Sequence, residues 1–151
     1  MKIYSLLFAI VLTCTAVGAT QTPKLGSKDW RAAVKATLVE DNLFQSAREK
    51  RDKKNYTGAI KDYTKIIKLK PKSLIAYKYR GEVKVLLKDY KGAIEDYDKS
   101  IEIDAEDRYA YFDRGNAKAA LGDTAGACTD WKKAVELGMT EASDVMKEHC
   151  K

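Results

Sequence analysis

Apolar residues recur along this chain at helical spacing. Ala59, Tyr63, Ile66 and Ile67 stand at i, i+4, i+7 and i+8, which places them on one stripe of an amphipathic helix. The stripe belongs to a longer pattern that returns every 34 residues: YTGAIKDY at 56–63, YKGAIEDY at 90–97 and TAGACTDW at 124–131. Lys65, Lys99 and Lys133 keep the same register, as do Ile67, Ile101 and Val135. Self-similarity at this period marks a stacked helix-turn-helix solenoid, so the chain is expected to be all-α. The pattern predicts upstream helices over about 42–53, 76–87 and 110–121, each turning into a downstream helix over about 57–69, 91–103 and 125–137. Pro71 ends the first unit, because its fixed φ and missing amide hydrogen stop a helix.

The repeats resemble the tetratricopeptide repeat family over about 40–141, two-thirds of the chain. The resemblance rests on an aromatic and a Gly on the first helix, Tyr77 with Gly81 and Tyr111 with Gly115, then Ala and an aromatic on the second, Ala93 with Tyr97 and Ala127 with Trp131. Small residues let the two helices approach and the aromatic fills the space between them. The first unit departs, with Leu43 and Ala47 at the matching places, and only Pro71 stands at the family's closing Pro, where Ala105 and Met139 follow. The resemblance implies a right-handed superhelical solenoid of three units, 40–73, 74–107 and 108–141. Terminal repeats are commonly atypical, and a repeat cannot bury its apolar face without neighbours and caps.

Both ends supply such caps. Beyond the third unit, Glu141, Ala142, Val145, Met146 and Cys150 predict a C-terminal capping helix within 142–151 and its approach. Ahead of the first, Ser27 is an N-cap candidate for a flanking helix with Trp30, Val34 and Leu38 on one face, within the 20–39 segment. Its expected place is over the first repeat; a swapped contact with a second molecule is the other reading.

Met1 and Lys2, the apolar run Ile3 to Leu12 and the small residues Ala16, Gly18 and Ala19 fit a secretory signal peptide over 1–19, cleaved after Ala19. As a membrane anchor the run is short of the ~20 residues that spanning needs. Lipidation at Cys14 is a further reading, loosely supported because Thr13 stands where a small Gly, Ala or Ser is usual. Export makes the expected location periplasmic or extracellular, or a membrane surface if Cys14 carries lipid.

Removing the leader leaves Cys128 and Cys150 in a compartment that favours disulfides. Cys128 takes the place of Ile60 and Ile94 on the stripe facing the next element, here the cap, and both cysteines lie eleven residues from Met139. They therefore sit level across a helical hairpin, and a bridge is the expected pairing, with two buried thiols as the alternative. His149 beside Cys150 does not make a metal site, since a structural zinc needs four ligands at recognisable spacing. No cofactor is expected.

The formal charge of +6, which loses one unit with Lys2, favours acidic partners or membrane surfaces. The run Arg48 to Lys54 is of mixed sign and reads as a solvated helix face. Export argues against nucleic acid. Most tyrosines recur at repeat positions and so belong to the core before they are stacking platforms.

In the family, first helices line a concave groove that holds an extended peptide or a partner helix. By register those positions here are Phe44, Arg48 and Arg51, then Ile75, Lys78, Glu82 and Val85, then Tyr109, Phe112, Asn116 and Ala119. Aromatic anchors beside charges are the ingredients of peptide recognition. Some of these positions serve packing along the first-helix layer instead. The family's carboxylate clamp is not carried over: Ala47 and Arg48 replace its Gly-Asn, and Asp113 stands where an amide would be useful. Arg80 and Arg114 precede the repeat glycines, where a cation also pairs with a neighbouring carboxylate. With one His, no nucleophile elbow and no phosphate-binding loop, the sequence reads as a protein-binding adaptor and not an enzyme. The alternative is a building block of an envelope complex or homo-oligomer.

Overall fold

Ser27 opens the first helix, its Oγ accepting from the Trp30 amide at 3.1 Å and satisfying one of the donors that a helix start leaves without a partner. In the computed structural model, which describes residues 26–150, this helix, α1, runs unbroken over Lys28–Asp52. The sequence predicts a flanking helix and then a separate first-repeat helix from about 42, so the expected break is missing. The cause is local. No Gly or Pro lies within the helix and most of its residues are good helix formers, so nothing stops propagation.

Six shorter helices follow: α2 (Tyr56–Leu69), α3 (Leu74–Leu86), α4 (Tyr90–Ile103), α5 (Arg108–Ala120), α6 (Thr124–Glu136) and α7 (Thr140–His149). Their limits fall within two residues of the predicted ones, and no strand occurs among the described residues. The chain divides into two compact units, Met1–Asn42 and Leu43–Lys151, and the repeats lie in the second. There each helix from α2 to α7 packs on the next in chain order, and α3 also touches α5, so first helices lie side by side.

The turns inside the repeats share one construction. Lys88 adopts a left-handed φ of 62°, and the amides of Lys88 and Asp89 return to the Val85 and Lys84 carbonyls at 2.8 and 2.9 Å. This double return closes a helix. Asp89 then caps α4, accepting from the Gly92 amide at 3.0 Å. Lys54 with Asn55 and Gly122 with Asp123 repeat the device one period away on either side. Of the three left-handed positions, only the last holds glycine, the residue that carries no steric penalty there.

Tyr63, Tyr97 and Trp131, one period apart, are buried between paired helices. The room for them comes from the first helix. A Cβ at Gly115 would lie 2.7 Å from the Trp131 Nε1, and one at Gly81 2.9 Å from the Tyr97 ring, so a larger residue forces the helices apart. In the first repeat Ala47 occupies that place, fully buried. The aromatic, small-residue pattern read in the sequence is thus the packing contact itself.

Candidate functional site

The most ordered electrostatic feature is a ladder of buried aspartates. Asp62, Asp96 and Asp130 are each 2% exposed, on the second helix of each repeat. Arg114 grips Asp130 with two nitrogens, Nε and Nη2, at 2.9 and 2.6 Å. Lys118 adds a 2.8 Å contact. Arg80 and Lys84 hold Asp96 in the same way. Ser46 and Lys50 complete the first rung on Asp62, where burial pushes the carboxyl up but hydrogen bonds from Lys50, Ser46 and Lys65 outweigh it and hold the acid below its usual range. Each arginine also reaches back to the preceding repeat, Arg80 to Thr64 Oγ1 at 3.0 Å and Arg114 to Asp98 Oδ1 at 2.6 Å. The ladder therefore joins helices within and between repeats. The pairing anticipated for Arg80 and Arg114 is the one observed.

The first-helix face carries the residues that the sequence singles out, and the structure divides them. Phe44 packs edge-on against Tyr63, ring centroids 6.1 Å apart, and Phe112 lies half-buried against Ala134, Met139 and Ala142. Both belong largely to packing. Asn116 is exposed, but its Oδ1 accepts from the Trp131 Nε1 at 3.0 Å. Arg48 donates to the Tyr79 hydroxyl at 3.1 Å and lies over the Tyr79 ring. Arg51 reaches Asp52 at 3.2 Å and Glu82 at 4.0 Å. Lys78 is tied to Asp107 at 3.3 Å and covers the Tyr109 ring at 5.4 Å. Most of the cations expected to meet a ligand's carboxylates are therefore already engaged inside the chain.

Two kinds of group remain turned toward solvent or short of partners. Ile75 and Tyr109, one repeat apart, are each 49% exposed. Further along the same two helices lie two half-buried carboxylates, Glu82 on α3 and Asp113 on α5. Burial raises Glu82, opposed by the charges of Arg51, Lys78 and Arg48. Burial and then the charge of Glu82 lift Asp113 to about 6, with Lys78 opposing and Asp107 adding to the rise. Asp113 has no hydrogen bond or ion pair among the described residues. In the sequence Asp113 stands out only as a departure from the clamp pattern.

The Cys128 and Cys150 sulfurs stand at bonding distance, with Cα atoms 5.8 Å apart. His149 is exposed, its ring 5.7 Å from that of Trp131. A cleft of about 490 Å³ opens among Pro71, Lys72, Tyr77, Lys99, Glu102 and Ile103; none of the sequence-predicted positions lines it. Among the described residues no group of three His, Cys, Asp or Glu converges as a metal site, and no helix is long and apolar enough to cross a membrane. The leader at 1–19 and Cys14 lie outside the described residues.

Stacked helix pairs with a shared small-residue and aromatic contact define a helical repeat scaffold. Comparison specifies which one. A tetratricopeptide repeat family matches residues 41–73 and a TPR repeat family matches residues 81–122; the chain belongs to the tetratricopeptide repeat family. No curated protein matches the sequence. Among solved structures, the chain is similar to the second TPR domain of human RPAP3 in complex with the HSP70 peptide SGPTIEEVD (20% identity, 77% of this chain and 98% of that one, TM-score 0.71). It is also similar to the TPR2B domain of yeast Sti1 in complex with pHsp70 (22%, 74% and 96%, TM-score 0.69) and to the Arabidopsis OM64 TPR domain (23%, 76% and 98%, TM-score 0.68). At these identities the likeness concerns the fold.

Proposed function

We propose that this chain is an exported adaptor that docks an extended segment or a helix of a partner protein on the face made by its first helices. The observation that carries the reading is the pair Ile75 and Tyr109, half-exposed and one repeat apart. Apolar side chains left outside the core at the register of the family's groove are anchors for a ligand. The peptides bound by the human RPAP3 and yeast Sti1 domains support the same use of the fold. No catalytic role is assigned, since repeat scaffolds of this kind bind and the sequence holds a single His.

Export rests on the leader read at 1–19 and on two cysteines poised to bridge, a pairing that an oxidising compartment maintains. Lipid at Cys14 would hold the same module at a membrane surface. A second reading, a block that self-assembles or joins an envelope complex, is kept because Leu38 and Val39 are 47% and 41% exposed on the N-terminal part of α1; a mass in solution above the monomer without ligand would favour it.

The test begins with peptides selected by phage display on the chain from Thr20 onward. They are titrated against wild type and an Ile75→Ser, Tyr109→Ala variant. Phe112 is left intact because it packs against the capping helix region. The expected result is at least a tenfold loss of affinity with unchanged helical circular dichroism. Equal binding by the variant would show that the ligand docks elsewhere.

A further inference from the structure

Glu82 and Asp113 sit on α3 and α5, first helices that touch each other, and the charge of Glu82 acts on Asp113. The groups beneath and around them leave that charge unspent. Tyr63 and Tyr97, 0% and 1% exposed, rise from the second helices of the first two repeats. Glu82 lies in the electrostatic field of both phenols, and Asp113 in that of Tyr97. The Tyr63 hydroxyl is buried without a hydrogen-bond partner, a condition that costs free energy and is uncommon in native interiors. The unpaired phenol of Tyr63 thus lies in the field of Glu82, and the buried phenol of Tyr97 in that of both carboxylates.

The neighbouring cations do not neutralise these carboxylates. Lys78 is bonded to Asp107 and lies over Tyr109. Arg51 divides itself between Asp52 at 3.2 Å and Glu82 at 4.0 Å. Arg48 is bonded to Tyr79. A half-buried carboxylate pair whose one ion pair is the 4.0 Å contact of Arg51 with Glu82 favours an incoming group that carries positive charge and several N–H donors. Guanidinium, with five donors in a planar fork, and ammonium, with three, are the side-chain groups that fit.

Resting on the docking reading above, we infer that the first-helix face selects a peptide segment bearing an arginine or lysine side chain, seated between Glu82 and Asp113, with apolar neighbours on Ile75 and Tyr109. Charge complementarity sets this occupant apart from an acidic peptide such as SGPTIEEVD, the ligand of the human RPAP3 domain. Such a peptide would bring carboxylates toward Glu82 and Asp113, and like charges brought together on desolvated ground are rejected.

A random dodecapeptide phage library, panned at pH 7.5 on wild type and on a Glu82→Gln, Asp113→Asn variant, tests the inference. The wild-type pool should be enriched in Arg or Lys beside apolar residues, and the variant should retain the apolar preference alone. A synthetic peptide from the wild-type pool should then lose about tenfold in affinity when its basic residue becomes Gln, on wild type but not on the variant. Its affinity for wild type should also fall from pH 7.5 to pH 5, as Asp113 takes up a proton in the company of Glu82, Lys78, Asp107 and Tyr97. A neutral or acidic wild-type pool, or an Arg preference that survives in the variant, would overturn the inference while leaving docking intact. No pool from either protein would sink the docking reading and this inference with it. A thermal midpoint of the variant at or above that of wild type certifies that it is folded.

Discussion

Arg114 shows how single side chains hold the repeats, because one guanidinium joins α5 to Asp130 on α6 and to Asp98 on α4. Removing it strands Asp130, whose side chain is 3% exposed, next to Lys118 alone. We expect Arg114→Ala to cost about 3–5 kcal/mol in urea denaturation, and Arg114→Lys to recover only part, since an ammonium cannot grip two oxygens in the same plane. Asp113 works in the opposite sense. Its folded value of about 6 lies above the ordinary 3.8, so the folded chain holds this proton more tightly than the unfolded one. Stability from the group is complete below pH 3.8 and is lost as pH rises through about 6. Asp113→Asn should therefore raise the thermal midpoint at pH 7.5 and change it little at pH 4.5. Asp62, held below its usual range, contributes stability that is present at neutral pH and lost only as pH falls below 3.8. Of the ladder, only the pairing of Arg80 and Arg114 is read from the sequence above, although Asp62, Asp96 and Asp130 recur at one period with Lys50, Lys84 and Lys118 in step. The engagement of Lys78, Arg48 and Asn116 is not legible there, because it depends on how far side chains reach between helices that no spacing brings together.

At the scale of elements, helix ends were more legible than helix continuity. Turn positions announce themselves through Asn55, Asp89 and Asp123, each accepting from an amide three residues on. The absence of a stop between the flanking segment and the first repeat is harder to read, because α1 is polar over much of its surface and periodicity alone does not join two short stripes. The turns also invite a stabilising change. Lys88 holds a left-handed backbone at φ 62°, a conformation that penalises any side chain, so Lys88→Gly should add about 1 kcal/mol, read as a higher denaturation midpoint. The same substitution at Lys91, in the first turn of α4, should destabilise. Cys128 and Cys150, 22 residues apart in sequence, would fasten α7 to α6 once bridged. Reduction should then cost about 3 kcal/mol, matched by the Cys128→Ala, Cys150→Ala double variant.

Across the molecule, the same period governs packing and leaves function to the positions that break it. Core aromatics, small residues and the aspartate ladder recur at every repeat, so they stack units but distinguish no ligand. Glu82 and Asp113 do not recur: Arg48 and Asn116 stand one period away from Glu82, and Tyr79 stands one period before Asp113. Fold alone does not choose a partner, and it is these irregular positions on a regular frame that can. Docking of a ligand on the first-helix face is tested by residue-resolved NMR. A phage-selected peptide is titrated into the labelled chain while amide shifts are followed. Docking there should concentrate the changes on α3 and α5 around Ile75, Glu82, Tyr109 and Asp113. Changes confined to the exposed second-helix positions Lys61, Glu95 and Thr129 would contradict it.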